Sequence, residues 1–266
     1  MIIIGEKVNS TLKVVRPAIE KEDAAFIQDL AKRQHEAGAS FIDVNAGTFV
    51  HEEPRKIEWL VNTIQEAVQV PFSIDSPNPK AIECALQANK NGKPILNSIT
   101  DEKERFNAML PLILKYGTGV IALCMDDTGM PETVDERVAI AGRLIAKITK
   151  EGVAMSDIYI DPMVRPIGTG SHYGVVAIET IRKVKTEYPE VRTACGLSNV
   201  SFGIPERKLV NQTFLVAAMA AGLDGAILDP LDKKLMGLMF AAEALLGRDE
   251  MCMNYIMKFR EGFFAA

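Results

Sequence analysis

The chain has 266 residues, with 30 Lys and Arg against 35 Asp and Glu, a net charge of −5, and it is 48% hydrophobic and 24% charged. That composition is globular, and the length suits one (β/α)8 barrel of roughly 250 residues or two small domains. A mildly acidic chain without a Lys/Arg run excludes nucleic acid and membrane surfaces as expected partners, and no uninterrupted apolar stretch reaches the ~18 residues of a membrane span.

In chain order, β-rich runs fall at residues 2–4, 40–45, 70–75, 94–98, 119–125, 158–161, 193–197 and 225–229. The first comes too early, and Glu6 follows it too closely, for a signal peptide. Most runs are continuously apolar rather than alternating, as strands covered on both faces of a parallel sheet are. Amphipathic runs separate them. Ile57, Leu60, Val61, Ile64 and Val68 recur at helical spacing. Asn78-Pro79 offers a capping side chain before a proline at the first helical position, and Thr133 with Glu136 fits a capping box. Gly38, Gly152, Gly222 and Gly247 follow helical runs, where a left-handed cap favours glycine. About eight strand–helix units with no long linker predict an α/β fold, a single TIM barrel. An open doubly wound sheet is the structural alternative, but Gly5-Glu6-Lys7-Val8-Asn9 lacks the GxGxxG phosphate loop. The expected division is a barrel over 1–247 and a C-terminal helical extension over 248–266 that packs on it.

Polar residues end the strands. Asn45, Asp75, Asn97, Asp161, Asn199 and Asp229 each follow a β-run. Singly, each also fits a turn or a helix cap. As a set on one rim of a barrel they mark the face where active sites are built. Carboxylates accept hydrogen bonds and Asn both accepts and donates. Such a rim suits a planar, neutral heterocycle with an amino-substituted, guanidine-like edge, whereas a phosphate calls for cations or a glycine nest.

Gly5-Glu6-Lys7-Val8-Asn9, Asp43-Val44-Asn45, Ile74-Asp75-Ser76, Leu96-Asn97-Ser98, Tyr159-Ile160-Asp161-Pro162 and Gly196-Leu197-Ser198-Asn199-Val200-Ser201 occur in this order. Together they resemble the methyltetrahydrofolate:corrinoid methyltransferases, which include the folate module of cobalamin-dependent methionine synthase. The resemblance covers residues 2–246, with the Gly-Leu-Ser-Asn-Val-Ser and Tyr-Ile-Asp-Pro segments the most specific. It implies a pterin-binding, dihydropteroate synthase-like barrel that moves a methyl group between 5-methyltetrahydrofolate and the cobalt of a corrinoid (cobalamin), in either direction. It implies that Asp75, Asn97 and Asp161 hold the pterin, that Asn199 reaches the methyl-bearing nitrogen as the catalytic group, and that Arg207 lies beside the pterin or its tail. Gly196 and Ser198 are expected to give close backbone approach and a hydroxyl, or simply a tight turn. Glu6, Asn9, Asp43 and Asn45 are expected to support that set or to serve as turn residues. Residues 201–204, Ser-Phe-Gly-Ile, depart from the family pattern where the folate tail would lie. The family also implies a homodimer.

No Asp-x-His-x-x-Gly segment occurs, so the corrinoid is expected on a separate partner protein. The rival enzyme, dihydropteroate synthase, needs cationic pyrophosphate contacts after the last strand, where Asp229-Pro230-Leu231-Asp232 is acidic. The rival of a different class is a non-catalytic folate-binding protein. His35 and His51 are expected to be structural, as is His172 despite its place on the active face, and no pair has ligand spacing, so no metal is expected. Cys84, Cys124, Cys195 and Cys252 form no CxxC. Cys124 and Cys195 are expected to be buried packing residues, and the cell compartment the reduced cytoplasm. The apolar residues of 251–264 are expected to form a last helix covering the barrel, with self-association as the lesser alternative.

Overall fold

The structure is a computed structural model and describes residues 1–264. Residues 265 and 266 of the expected C-terminal extension lie outside the described residues. The strands are β1 (Ile2–Asn9), β2 (Phe41–Asn45), β3 (Phe72–Asp75), β4 (Ile95–Thr100), β5 (Gly119–Leu123), β6 (Ile158–Asp161), β7 (Arg192–Gly196) and β8 (Gly225–Leu228). All pair in parallel and in sequence order, and β1 closes on β8. The barrel read from the sequence is therefore the fold.

The helices are α1 (Arg16–Lys21), α2 (Ala24–Glu36), α3 (Glu53–Gln65), α4 (Pro79–Ala88), α5 (Lys103–Tyr116), α6 (Val134–Lys150), α7 (Tyr173–Glu187), α8 (Arg207–Ala221), α9 (Lys233–Leu245) and α10 (Met253–Arg260). Their ends follow local chemistry. Asn78 caps α4 by accepting from the Lys80 backbone, with Pro79 at the first helical position. Thr133 and Glu136 form the expected reciprocal box on α6. Gly222, at φ +116°, ends α8 in the left-handed region. The apolar face of α3 buries Ile57, Leu60, Val61 and Ile64. Val68 is buried too, but in the turn beyond the helix.

Two apolar layers hold the barrel. The larger lies between strands and helices and takes Val44, Ile74, Leu96 and Ala122 from the outward strand faces. The smaller is a plug inside the barrel, built from Ile4, Ile95, Ile121, Tyr159 and Ala194, with Ile2, Phe41, Leu123 and Ile227 packed against it. The tail forms α10, yet none of its side chains is buried. The Phe263 ring, beyond α10, meets Phe240 of α9 edge-on at 5.5 Å.

Candidate active site

Side chains along a strand alternate faces, so the residue two positions after a plug residue also points inward, one layer higher. From Ile4, Phe41, Ile95, Ile121, Tyr159 and Ala194, the next inward positions are Glu6, Asp43, Asn97, Leu123, Asp161 and Gly196. These line a cavity of about 390 Å³ at the C-terminal ends of the strands, together with Asp75, Ser98, Ser198, Asn199, Ile227 and the Asn9, Thr11 and Leu12 turn. Apolar floor and polar wall are thus consecutive inward positions on the same strands.

Parallel register sets the hydrogen bonds of the wall. Asp43 sits beside Ser73, and Asp75 beside Asn97. Ser73 Oγ donates to Asp43 Oδ1 at 2.7 Å, and Asn97 Nδ2 donates to the same oxygen at 3.4 Å. Asn45 Nδ2 donates to Asp75 Oδ2 at 2.9 Å, while Asn45 Oδ1 accepts from Ser10 Oγ and the Gly47 backbone. The Met163 N–H donates to Asp161 Oδ1 at 2.7 Å.

Removal of these carboxylates from water disfavours their charged forms. Burial pushes Asp161 from 3.8 up to about 6, against hydrogen bonds from the Met163 and Gly196 backbone and the charge of Arg137. Burial, reinforced by the Asp75 charge, holds Asp43 well above the usual carboxylate range, although Ser73 and Asn97 pull it down. Asp75 is also raised by burial, with the Asn45 hydrogen bond and the Arg105 charge opposing. Glu6 is raised by burial and then by Asp229, with Lys7, Ser198 and Arg207 opposing.

Asn199 lies in the 3-10 turn Leu197–Ser201 that follows β7, exposed at the cavity's edge. Gly196 makes room for it, since a Cβ there would stand 3.0 Å from Asn199 Nδ2. Arg207 fastens the same turn from the first residue of α8. Its Nη2 donates to the Ser198 carbonyl at 2.8 Å and its Nε to Ser201 Oγ at 3.1 Å.

Of the residues singled out in the sequence, Asp75, Asn97, Asp161, Asn199, Gly196, Ser198, Glu6, Asn9 and Asp43 border the one cavity. Asn45 and Arg207 stand behind it, holding Asp75 and the Asn199 turn. Asn97 differs in position from the expectation. It lies inside β4, which runs on to Thr100, so it faces the cavity from the sheet rather than from a strand end. Asp229 follows β8 and accepts from Lys7 Nζ at 3.0 Å.

Leu123 and Ile227 were missed, although strand alternation from Ile121 and Gly225 points to them. Arg137 was also missed, and nothing near it in the chain could have signalled it. It is fully buried, and its guanidinium donates to the carbonyls of Pro162 at 2.6 Å, Met163 at 3.0 Å and Pro131 at 3.2 Å. It thereby fixes the loop whose Met163 N–H meets Asp161. His35, His51 and His172 are exposed, with His172 tilted against the Tyr173 ring at 4.4 Å. Cys124 and Cys195 are fully buried, and burial pushes both thiols up. Among the described residues no group of three or more His, Cys, Asp or Glu is placed to hold a metal ion.

Residues 5–229 match the family model described as pterin binding enzyme. The chain is 39% identical over 265 residues to a methylcorrinoid:tetrahydrofolate methyltransferase of Eubacterium limosum, covering 98% of this chain and 97% of that protein. It is 32% identical over 240 residues to the methionine synthase of Mycobacterium leprae, covering 85% of this chain but 20% of that much longer protein. In fold it is similar to the dihydropteroate synthase of Yersinia pestis in complex with a sulfonamide drug, with TM-score 0.70, 15% identity and coverage of 93% and 94%. It is likewise similar to the dihydropteroate synthase of Xanthomonas albilineans in complex with 7,8-dihydropteroate, with TM-score 0.68, 18% identity and coverage of 91% and 94%. With a family match across most of its length and end-to-end identity to one member, the chain belongs to the pterin-binding enzymes, in the family of the methylcorrinoid:tetrahydrofolate methyltransferase.

Proposed function

We propose that this chain is a methyltransferase that moves a methyl group between 5-methyltetrahydrofolate and the cobalt of a corrinoid carried by a separate protein. The observation that carries the reading is the cup of Asp43, Asp75, Asn97 and Asp161 beneath the exposed carboxamide of Asn199. A pterin presents ring N–H and exocyclic amino groups along one edge, and ionised Asp75 and Asp161 accept from them while Asn97 completes the mixed edge. The name of the Eubacterium limosum relative supports the direction from methylcorrinoid to tetrahydrofolate.

The methyl is transferred at N5 of the pterin. Asn199 stabilises the change in protonation and charge at that nitrogen, and Gly196 leaves its side chain the room to do so. Arg207 acts by holding the Asn199 turn. The cobalt of the partner is itself a strong nucleophile in its reduced state, so the barrel's tasks are positioning and proton management. The open side of the cavity is where the partner docks. The same reading divides the chain into the pterin barrel, 1–247, and the C-terminal extension, 248–266. It places the protein in the cytoplasm as a homodimer and involves no nucleic acid and no membrane. No described helix is long and apolar enough to cross one.

The synthase alternative finds little support at β8. Asp229 there takes Lys7, and Asp232 caps α9 through the Lys234 and Leu235 N–H groups, leaving acidic side chains where a pyrophosphate would need cations. The test is the absorbance of a cobalt(I) corrinoid protein mixed with methyltetrahydrofolate, and of its methylated form mixed with tetrahydrofolate. Transfer in either direction supports the reading. Tight folate binding without transfer would show a folate-binding protein, and product from a pterin pyrophosphate and an aromatic amine would show a synthase.

A further inference from the structure

We propose that Glu6 is the proton reservoir of the methyl transfer, exchanging a proton with N5 of the pterin through the hydroxyl of Ser198. The inference rests on the methyltransferase reading above. Methyl exchange at N5 requires a proton to arrive or leave, and Asn199, being an amide, cannot supply one. Asp75 and Asp161 are committed as acceptors for the pterin edge, and Asp43 already takes donors from Ser73 and Asn97. Glu6 is the remaining carboxyl on the cavity wall. Its Oε2 accepts from Ser198 Oγ at 3.3 Å, and Ser198 precedes Asn199 in the same turn.

The surroundings suit a carboxyl that changes charge. Asp229 after β8 is an anion that favours its neutral form, and the Glu6 charge in turn helps to hold Asp43 of β2 up. Lys7 of β1 and Arg207 of α8 favour the carboxylate, yet both are engaged elsewhere. Lys7 Nζ pairs with Asp229 at 3.0 Å, and Arg207 holds the Ser198 carbonyl and Ser201 Oγ. Among the described residues no ion pair includes Glu6. Burial and Asp229 together raise it above the ordinary value of 4.5, which favours its holding a proton.

The balance is complete in both directions. When tetrahydrofolate is methylated, the N5 electron pair forms the N5–CH3 bond and the Co–CH3 bond breaks with its electron pair left on cobalt. The N5 proton passes to Ser198 Oγ while the Ser198 proton passes to the Glu6 carboxylate, which then releases it to solvent. In reverse, the N5–CH3 bond breaks with its electron pair left on N5, and cobalt(I) forms the new bond with its own pair. N5 takes the proton from Ser198, which Glu6 replenishes, and solvent reprotonates Glu6.

The test is Glu6→Gln, which keeps an acceptor for Ser198 but cannot titrate. The transfer rate should fall about a hundredfold, while methyltetrahydrofolate affinity by calorimetry stays within about twofold and one limb of the pH–rate profile disappears. Glu6→Asp, which retains a titrating carboxyl, should recover part of the rate. Calorimetry in buffers of different ionisation enthalpy should show less proton uptake on methyltetrahydrofolate binding in Glu6→Gln. A wild-type rate and pH profile in Glu6→Gln would overturn the inference. So would a rate loss matched by an equal affinity loss, because Glu6 would then merely hold the pterin. Absence of transfer by the wild-type protein is a separate result, which would overturn the functional reading and the inference with it.

Discussion

Asp161→Asn should make the protein more stable and worse at binding folate. Asp161 is 8% exposed, and burial raises it from 3.8 in the unfolded chain to about 6 in the fold. The folded protein therefore holds that proton more tightly than the unfolded chain does. Between these two values the native state binds more protons, so stability falls as pH rises, and the contribution is fully lost above about 6. Two pH units at about 1.4 kcal/mol each make ionised Asp161 a burden of about 3 kcal/mol at neutral pH. Asn carries no charge, and its Oδ1 still accepts the Met163 N–H, so Asp161→Asn should gain about 1–3 kcal/mol near pH 7 and almost nothing near pH 4. Urea denaturation at both pH values measures it. The cost appears in binding, because an amide N–H then faces a pterin N–H, and calorimetry should read a loss of about 2–4 kcal/mol. Wild-type affinity should itself fall about tenfold from pH 7 to pH 5 as Asp161 protonates, and the variant should lose that dependence. A variant whose stability relative to wild type is the same at both pH values would refute the argument that Asp161 is buried as a carboxylate.

Asn199→Ala should lower the transfer rate by about tenfold to a thousandfold with little change in folate affinity, as stopped-flow and calorimetry can separate. A rate loss explained wholly by weaker binding would remove Asn199 from the chemistry. Arg137→Met should cost about 3 kcal/mol or more in urea, because the buried Pro162 carbonyl and the half-buried Met163 and Pro131 carbonyls lose their donor. An unchanged denaturation midpoint would mean that the Pro131 and Met163 loops hold themselves. Gly5→Ala should cost about 1–3 kcal/mol, since the new Cβ would stand 2.5 Å from the Gln34 Oε1 that accepts from the Lys7 N–H. Wild-type stability in this variant would show that the Gln34 side chain moves aside freely.

The barrel was legible because strands covered on both faces stay apolar while their C-terminal ends turn polar. The same rule misled at β1. Only residues 2–4 read as strand, yet β1 runs from Ile2 to Asn9. Its polar continuation is the wall of the cavity, with Glu6 facing inward and Val8 fully buried. Polarity likewise reads as termination at Asn97, which lies inside β4. The tail was legible only in part: a helix forms there and Phe263 beyond it packs on Phe240 of α9, yet Met251 and Phe259 are 81% and 71% exposed. Apolar character states what a side chain avoids, not which surface is there to receive it. Arg137 was invisible for another reason. Its partners are backbone carbonyls, which every residue carries, so no residue type near it signals the contact.

The stacking of plug and cup along single strands has an evolutionary consequence. Inserting or deleting one residue within a strand reverses the faces of everything beyond it. An insertion below Asp161 would turn that carboxylate toward the helices and bring Ile160 to the cavity. The loops that follow the strands carry no such parity. Lineages descended from this barrel can therefore lengthen its rim freely, while a one-residue change within a strand needs a bulge to absorb it, as at the register shifts of β1 and β4.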